Sequence, residues 1–171
     1  MLRAAPCRNV PVTFTLDRRM RALADRLLSA RCKGWLRSGP VFEPYASVSP
    51  ADIAALELRV GRAIPESLRS WLELVGFGDI DEALSFRAEW VQPVEFGRLK
   101  GGFRFAQDDG GNFYACAPSG DSVAFFPRSE PAYAMLSASF REFLEELEKR
   151  DYKVIEWTDS VERMPYEWAA V

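Results

Sequence analysis

The sequence predicts an α+β fold, because its helical and strand signals occupy separate stretches of the chain. Two or three helical segments come first, a run of strands broken by turn signals follows, and another helix comes after the strands. This order is typical of an α+β domain and not of a doubly wound parallel sheet. The length of 171 residues fits one domain with extensions.

The first two helices are predicted from apolar spacing and capping residues. An apolar stripe lined by arginines predicts a helix over about residues 17–32. A second helix should begin at the Ser49-Pro50-Ala51-Asp52 segment, with Ser49 as the N-cap, Pro50 at the first helical position and Asp52 completing a capping box. Gly61 should end this helix, because glycine readily adopts the conformation that closes a helix.

Two further helices are predicted by the same criteria. Pro65 favours a new helix start, and apolar residues then recur at helical spacing as far as Gly76. The last helix is expected over residues 137–150, with an apolar stripe on one side and mainly acidic residues on the other.

The middle of the chain predicts strands. Aromatic and branched residues dominate four segments, residues 89–94, 102–107, 112–117 and 122–126. The Asp108-Asp109-Gly110-Gly111 segment predicts a turn between the second and third of them. Residues 152–157 are a candidate for a further strand.

Enzymatic activity is not expected. The sequence contains no histidine, which excludes Ser–His and Cys–His nucleophile pairs and a mixed Cys/His zinc site. Cys7, Cys32 and Cys116 are widely spaced without a CxxC pair, so we expect reduced thiols. The adjacent carboxylates of Asp108 and Asp109 are interpreted as turn formers. We predict a binding protein with no cofactor, no metal and no small-molecule substrate.

The sequence also predicts a cytoplasmic protein with no membrane partner. No apolar run approaches the roughly 18 residues of a membrane span. The N-terminal residues lack the apolar segment of a secretory signal.

Three motifs occur in order over about residues 47–148. The first is a helix–loop–helix segment containing Leu56-Glu57, Gly61, Ile64-Pro65, Leu68, Trp71-Leu72, Gly76 and Gly78. The second is the turn Asp108-Asp109-Gly110-Gly111-Asn112-Phe113-Tyr114, and the third is the helix start Ser139-Phe140-Arg141-Glu142-Phe143-Leu144. Together they resemble the SUKH superfamily, which includes the Smi/Knr-type fungal cell-wall regulators.

The resemblance implies helices packed on a twisted, mostly antiparallel sheet. It divides the chain into a basic N-terminal helical extension (1–46), a SUKH-like core domain (47–150) and an aromatic C-terminal tail (151–171). The motif residues that would shape the scaffold are Glu57, Gly61, Pro65, Trp71, Gly76, Asp108, Gly111 and Asn112. Bacterial members of the superfamily are commonly immunity proteins that bind and neutralise a cognate secreted toxin, often a nuclease, whereas eukaryotic members act as interaction hubs.

The charge distribution suggests where a partner would bind. Residues 1–37 carry nine basic and two acidic residues, whereas the rest of the chain carries 13 basic and 23 acidic residues. An acidic surface would be attracted to a toxin whose active site is basic because it handles phosphates. The candidate partner contacts are Asp79, Asp81, Glu82, Asp108 and Asp109, whose exposure is inferred from turn composition.

Two alternatives to an immunity protein stay open. The first is an adaptor that binds a cellular protein through C-terminal aromatic residues such as Trp157 and Trp168. The second is a nucleic-acid binder that uses the basic residues 1–37, although the acidic remainder of the chain would repel phosphates.

Overall fold

The computed structural model describes residues 18–32 and 39–167 of the chain. The helices in this part are α1 (Arg18–Ser29), α2 (Pro50–Val60), α3 (Glu66–Val75), α4 (Phe140–Lys149) and α5 (Val154–Asp159). The strands are β1 (Phe42–Ala46), β2 (Phe77–Ile80), β3 (Leu84–Phe86), β4 (Gln92–Pro93), β5 (Phe103–Asp108), β6 (Phe113–Cys116), β7 (Val123–Phe126), β8 (Ala132–Ser137) and β9 (Met164–Pro165). The predicted α+β class is confirmed.

The strands form one antiparallel sheet. Their order is β1-β2-β3-β5-β6-β7-β8-β9, and β4 pairs with β5 beside this path. Most neighbours in the sheet are also neighbours in the chain, as expected for a meander of short connections. Irregularities in register occur in β1, β5 and at the β7–β8 pairing, where bulges change which face a side chain occupies.

The helices and one face of the sheet enclose the larger hydrophobic core, which contains residues from all five helices. Its centre is aromatic. The Phe105 ring of β5 lies 5.3 Å from the Phe140 ring of α4, and Trp71 of α3 lies 6.3 Å from the same ring. Such edge-to-face pairs add about 0.5–1.5 kcal/mol each beyond the burial of their surface.

The opposite face of the sheet, called here the outer face, has a smaller core over β6, β7 and β8. Ala115, Ala124 and Phe126 project from the strands, and Leu99 and Tyr166 cover them. The Tyr166 hydroxyl donates a hydrogen bond to the Phe96 carbonyl at 2.6 Å. The rest of the outer face, from β1 to β5, carries the polar side chains described below.

The predicted start of α2 is confirmed in detail. The Ser49 side chain accepts a hydrogen bond from the Asp52 backbone N–H, and Asp52 Oδ2 accepts one from Ser49 N at 2.8 Å. The Ser49 hydroxyl also donates to Asp52 Oδ2 at 2.6 Å, and this bond together with the one from Ser49 N lowers the pKa of Asp52. Glu57 has a related role at the other end of the helix, because its Oε1 accepts a bond from Ile64 N at 3.0 Å and holds the turn before Pro65.

Gly76 allows β1 to cross closely over the end of α3. Its φ is 82°, and a Cβ atom there would lie 2.2 Å from the Ala46 carbonyl oxygen. A side chain at this position would therefore displace β1.

Two of the predicted strands are wrong in whole or in part. Residues 89–94 form a short 3₁₀ helix, Ala88–Trp90, followed by the two-residue strand β4. Residues 152–157 were expected as a strand, but α5 begins at Val154. The branched and aromatic residues of this segment suggest a strand, but Val154 and Trp157 pack into the core from a helix. Packing here overrides strand propensity.

Both ends of the described chain pack on the sheet and helices between them. Helix α1 buries Met20, Leu23 and Leu27 and contacts α3 and α4. The Trp157 ring lies 5.6 Å from Phe143 in a stacked arrangement. Across residues 18–32 and 39–167, every helix is too short or too polar to cross a membrane.

Candidate protein-binding surface

Asp108 lies at the end of β5 and organises the turn that follows. It is only 5% exposed, so the expectation that its carboxylate is exposed for a partner is wrong. Its Oδ1 accepts a hydrogen bond from Asn112 N at 3.0 Å, and its Oδ2 accepts bonds from Asn112 Nδ2 at 2.9 Å and the Tyr114 hydroxyl at 3.0 Å. The carboxylate is buried because the register of β5 turns it toward the helices and these three donors satisfy it.

The same turn is joined to the loop that follows β7. Asn112 Oδ1 accepts a hydrogen bond from Arg128 N at 2.9 Å. The Arg128 side chain lies across Gly111, whose φ is 80°, and a Cβ atom on Gly111 would come within 3.0 Å of Arg128 Cδ. Asp108, Gly111 and Asn112 therefore act as a scaffold for two loops.

Three of the candidate partner contacts come together at one end of the sheet. The β2–β3 turn carries Asp81 and Glu82, and the turn after β5 carries Asp109. The two turns are joined by a hydrogen bond from Asp109 N to the Ala83 carbonyl at 3.0 Å. We call the two turns that carry Asp81, Glu82 and Asp109 the acidic turns. Glu82 and Asp109 are exposed, and Asp81 is half-buried.

Asp81 and Glu82 have a backbone conformation that fixes their positions. Their φ angles are 51° and 57°, which is the left-handed pair required by a tight hairpin turn. The Cys32 thiol lies 3.7 Å from Asp81 Oδ1 and donates a weak hydrogen bond to it. The acidic turns are thus held in place by the strands on either side.

Asp79 is not part of this group. It projects from β2 onto the outer face, where its carboxylate accepts hydrogen bonds from the Tyr45 and Ser85 hydroxyls. These contacts link β1, β2 and β3. Of the five carboxylates predicted as partner contacts, Asp79 and Asp108 accept hydrogen bonds that join parts of the fold. The acidic turns contain the other three.

Arginines on the outer face were missed by sequence reasoning. The Arg87 guanidinium lies 4.7 Å from the Tyr45 ring centroid and 5.2 Å from the Trp90 ring centroid. The Arg104 guanidinium lies 4.6 Å from the Phe113 ring centroid. Burial lowers the pKa of Arg104, although the charge of Glu95 opposes this effect.

The sequence signal for these contacts is weak, because Arg104 and Phe113 are nine positions apart and meet only through strand register. Arg104 pairs with Ala115 across β5 and β6, which brings its side chain beside that of Phe113. Nothing in local spacing predicts this pairing.

Arg62 is a further residue that the sequence did not single out. Its Nη1 donates hydrogen bonds to the carbonyls of Ala117 at 2.8 Å and Pro118 at 2.7 Å, and its Nη2 donates to Gly120 at 3.2 Å. These carbonyls belong to the β6–β7 turn. Arg62 therefore fastens the α2–α3 loop to the sheet and is a structural residue.

Within the part of the chain that the structure describes, neither alternative function gains a built site. Trp157 and Tyr166 are 4% and 3% exposed, which removes them as aromatic anchors for an adaptor, and Trp168 lies outside the described residues. Residues 1–17 and 33–38, which hold part of the basic N-terminal segment, also lie outside them. Within α1, Arg26 forms an ion pair with Glu148, in which Nη2 lies 2.9 Å from Oε2.

The described residues contain no group of three or more Cys, Asp or Glu side chains arranged to hold a metal ion. Burial raises the pKa of the Cys116 thiol, which makes this cysteine a poor nucleophile. Cys7 lies outside the described residues. No family model matches the chain, and no curated protein matches it.

Proposed function

We propose that this chain is an immunity-type protein of the SUKH kind, which binds and neutralises a cognate secreted bacterial toxin by stoichiometric contact. A nuclease is the first candidate for the toxin. The observation that carries the proposal is the junction of the acidic turns, where Asp81, Glu82 and Asp109 lie on two hydrogen-bonded turns.

Rigid, exposed carboxylates suit the inhibition of an enzyme that handles phosphates. Such an enzyme concentrates positive charge in its active site, and opposite fields accelerate the encounter of two proteins. The acidic turns are preorganised, because Asp108 and its three hydrogen bonds fix the turn that carries Asp109. Preorganisation lowers the entropic cost of binding.

The adjoining outer face provides groups that stabilise a complex once it has formed. Ser85 and Gln107 pair across β3 and β5, so the acidic turns continue directly onto this face. It presents Tyr45, Trp90 and Arg87, and residues of these types are enriched among the side chains that dominate binding energy. We propose that the acidic turns set the rate of association and that the outer face sets the rate of release.

The proposal predicts that a secreted toxin is encoded beside the gene for this chain, and the test uses that toxin. Co-expression of the chain should restore growth to cells that produce the toxin domain. The chain should bind purified toxin only when the active site of the toxin is free. An excess of a substrate analogue should therefore slow association of the two proteins. A neighbouring toxin that kills equally with and without the chain would contradict the proposal.

The contribution of the acidic turns is tested by charge reversal. The variant Asp81→Lys/Glu82→Lys/Asp109→Lys should associate with the toxin at least about tenfold more slowly at low salt, because steering contributes about 10- to 1000-fold to such rates. The matched control reverses three exposed acids elsewhere on the chain and has the same net charge: Asp25→Lys/Glu66→Lys/Glu162→Lys. Equal association rates for the two variants would refute the assignment of the acidic turns.

A further inference from the structure

A cavity of about 460 Å³ lies on the outer face, between β5, β6 and the loop that follows β7. Its walls include Arg104, Phe113, Pro127, Arg128 and Pro131. The volume is at the lower end of the range for ligand sites, which leaves room for a short group and not for a large cofactor. Asp81, Glu82 and Asp109 are not among its lining residues.

Both arginines of this cavity are without an ion pair to the acidic residues that the structure describes. Within the described part of the chain, no carboxylate oxygen lies within 4.0 Å of the Arg104 or Arg128 side-chain nitrogens. Glu130 also lines the cavity, but its carboxylate forms an ion pair with Arg163. Among the described residues, the two arginines of the cavity are therefore without an ion pair, although the charge of Glu95 acts on Arg104.

Arg104 is prepared for an anion by its surroundings. Its guanidinium lies 4.6 Å from the Phe113 ring centroid, and its side chain is half-buried. A guanidinium that has lost part of its water interacts more strongly with an incoming anion, because the local dielectric is lower than in water.

The backbone of Arg128 is positioned by the neighbouring turn. Its backbone N–H is bonded to Asn112 Oδ1 at 2.9 Å, and its side-chain stem lies against Gly111. The turn motif thus fixes one wall of the cavity as well as the end of β5. Because its backbone is held, only the Arg128 side chain has to become ordered when a ligand binds, which lowers the entropic cost of binding.

We propose that this cavity binds a carboxylate side chain of an acidic peptide segment in a partner protein. The carboxylate would accept hydrogen bonds from Arg104 and Arg128, and an apolar neighbour in the peptide would pack on Phe113, Pro127 and Pro131. A singly charged carboxylate fits better than a phosphate dianion, because Glu95 and Glu130 lie nearby. This inference does not depend on a toxin being the partner.

The test uses two synthetic peptides, acetyl-Gly-Phe-Glu-Phe-Gly-amide and the analogue with Gln in place of Glu. Titration into the full chain is followed by NMR of the arginine side-chain N–H groups. The Glu peptide should shift the Arg104 and Arg128 signals, and it should bind at least about tenfold more tightly than the Gln peptide. Acetate at equal concentration should bind more weakly, since it lacks the apolar neighbours.

Variants show whether these arginines form the site. Arg128→Gln and Arg104→Gln should each weaken binding of the Glu peptide by about tenfold or more, whereas Lys149→Gln, which removes an exposed charge from α4, should leave it unchanged. Arg128→Gln keeps the test valid if Arg104→Gln fails to fold. Equal binding of the two peptides, equal or tighter binding of acetate or inorganic phosphate, or full binding by both arginine variants would overturn the proposal.

Discussion

Replacing Asp108 by Asn tests whether this carboxylate holds the turn together. The substitution keeps the shape of the side chain but removes its charge and turns one oxygen into an NH₂ donor. In the wild-type chain, Asn112 Nδ2 and the Tyr114 hydroxyl donate to Asp108 Oδ2 at 2.9 and 3.0 Å. If the new NH₂ group occupies the Oδ2 position, it faces these two donors. If the amide flips, it faces Asn112 N instead.

Either orientation therefore loses at least one hydrogen bond to a charged acceptor and leaves a donor without a partner at a residue that is 5% exposed. A hydrogen bond to a charged group contributes about 1.5–3 kcal/mol, so we expect Asp108→Asn to lower the free energy of unfolding by about 2–4 kcal/mol. In a domain of this size each kcal/mol corresponds to about 2–4 °C in Tm.

The assay is urea denaturation followed by tryptophan fluorescence, because Trp71 and Trp157 are buried in the core. The matched control is Asp109→Asn, which changes the neighbouring carboxylate, an exposed one, and should change the free energy of unfolding by no more than about 0.5 kcal/mol. A loss in Asp108→Asn no larger than that in Asp109→Asn would refute the scaffold role given to Asp108.

Three further predictions concern packing and reactivity. Gly76→Ala should lower the free energy of unfolding by about 3 kcal/mol or more, because its Cβ would lie 2.2 Å from a β1 carbonyl oxygen; a loss below about 1 kcal/mol in urea would contradict this. Arg62→Ala should cost about 1.5–3 kcal/mol in the same assay by freeing the β6–β7 turn, and unchanged stability would show that those bonds do not matter. In a Cys7→Ser background at pH 8, a thiol reagent should label Cys32, which is partly exposed, and should label Cys116 only after unfolding, because burial raises its pKa; rapid labelling of both would refute the burial of Cys116.

The helices could be predicted because their signals are local. The Ser49–Asp52 capping box and the glycine after each of α2 and α3 act within one or two turns of the chain. Local hydrogen bonds of this kind depend on residues that are adjacent in sequence, so a single sequence contains the necessary information.

The strands were harder to predict because their stability comes from pairing. Strand β2 has the sequence Phe-Gly-Asp-Ile, and both Gly78 and Asp79 are disfavoured in strands by propensity. Gly78 is required there because a Cβ atom would lie 2.5 Å from the Phe42 ring of β1, and Asp79 is bonded to hydroxyls on both neighbouring strands. These reasons appear only after the sheet has formed.

The candidate surface could be predicted only in part, because it too depends on strand pairing. Asp81, Glu82 and Asp109 could be placed on turns from composition, but their meeting depends on the pairing of β3 with β5. Asp108 was expected beside Asp109 in water, whereas strand alternation turns it to the opposite side, toward Tyr114.

The central claim is most directly tested by affinity capture from the native host, with the wild-type chain and the Asp81→Lys/Glu82→Lys/Asp109→Lys variant compared by mass spectrometry. We expect the wild-type chain to retain one stoichiometric partner with a secretion module and a C-terminal toxin domain, and the variant to be depleted of it. Capture of a housekeeping complex instead would contradict the account and favour an adaptor. Equal recovery of the toxin by both proteins would refute the role given to the acidic turns.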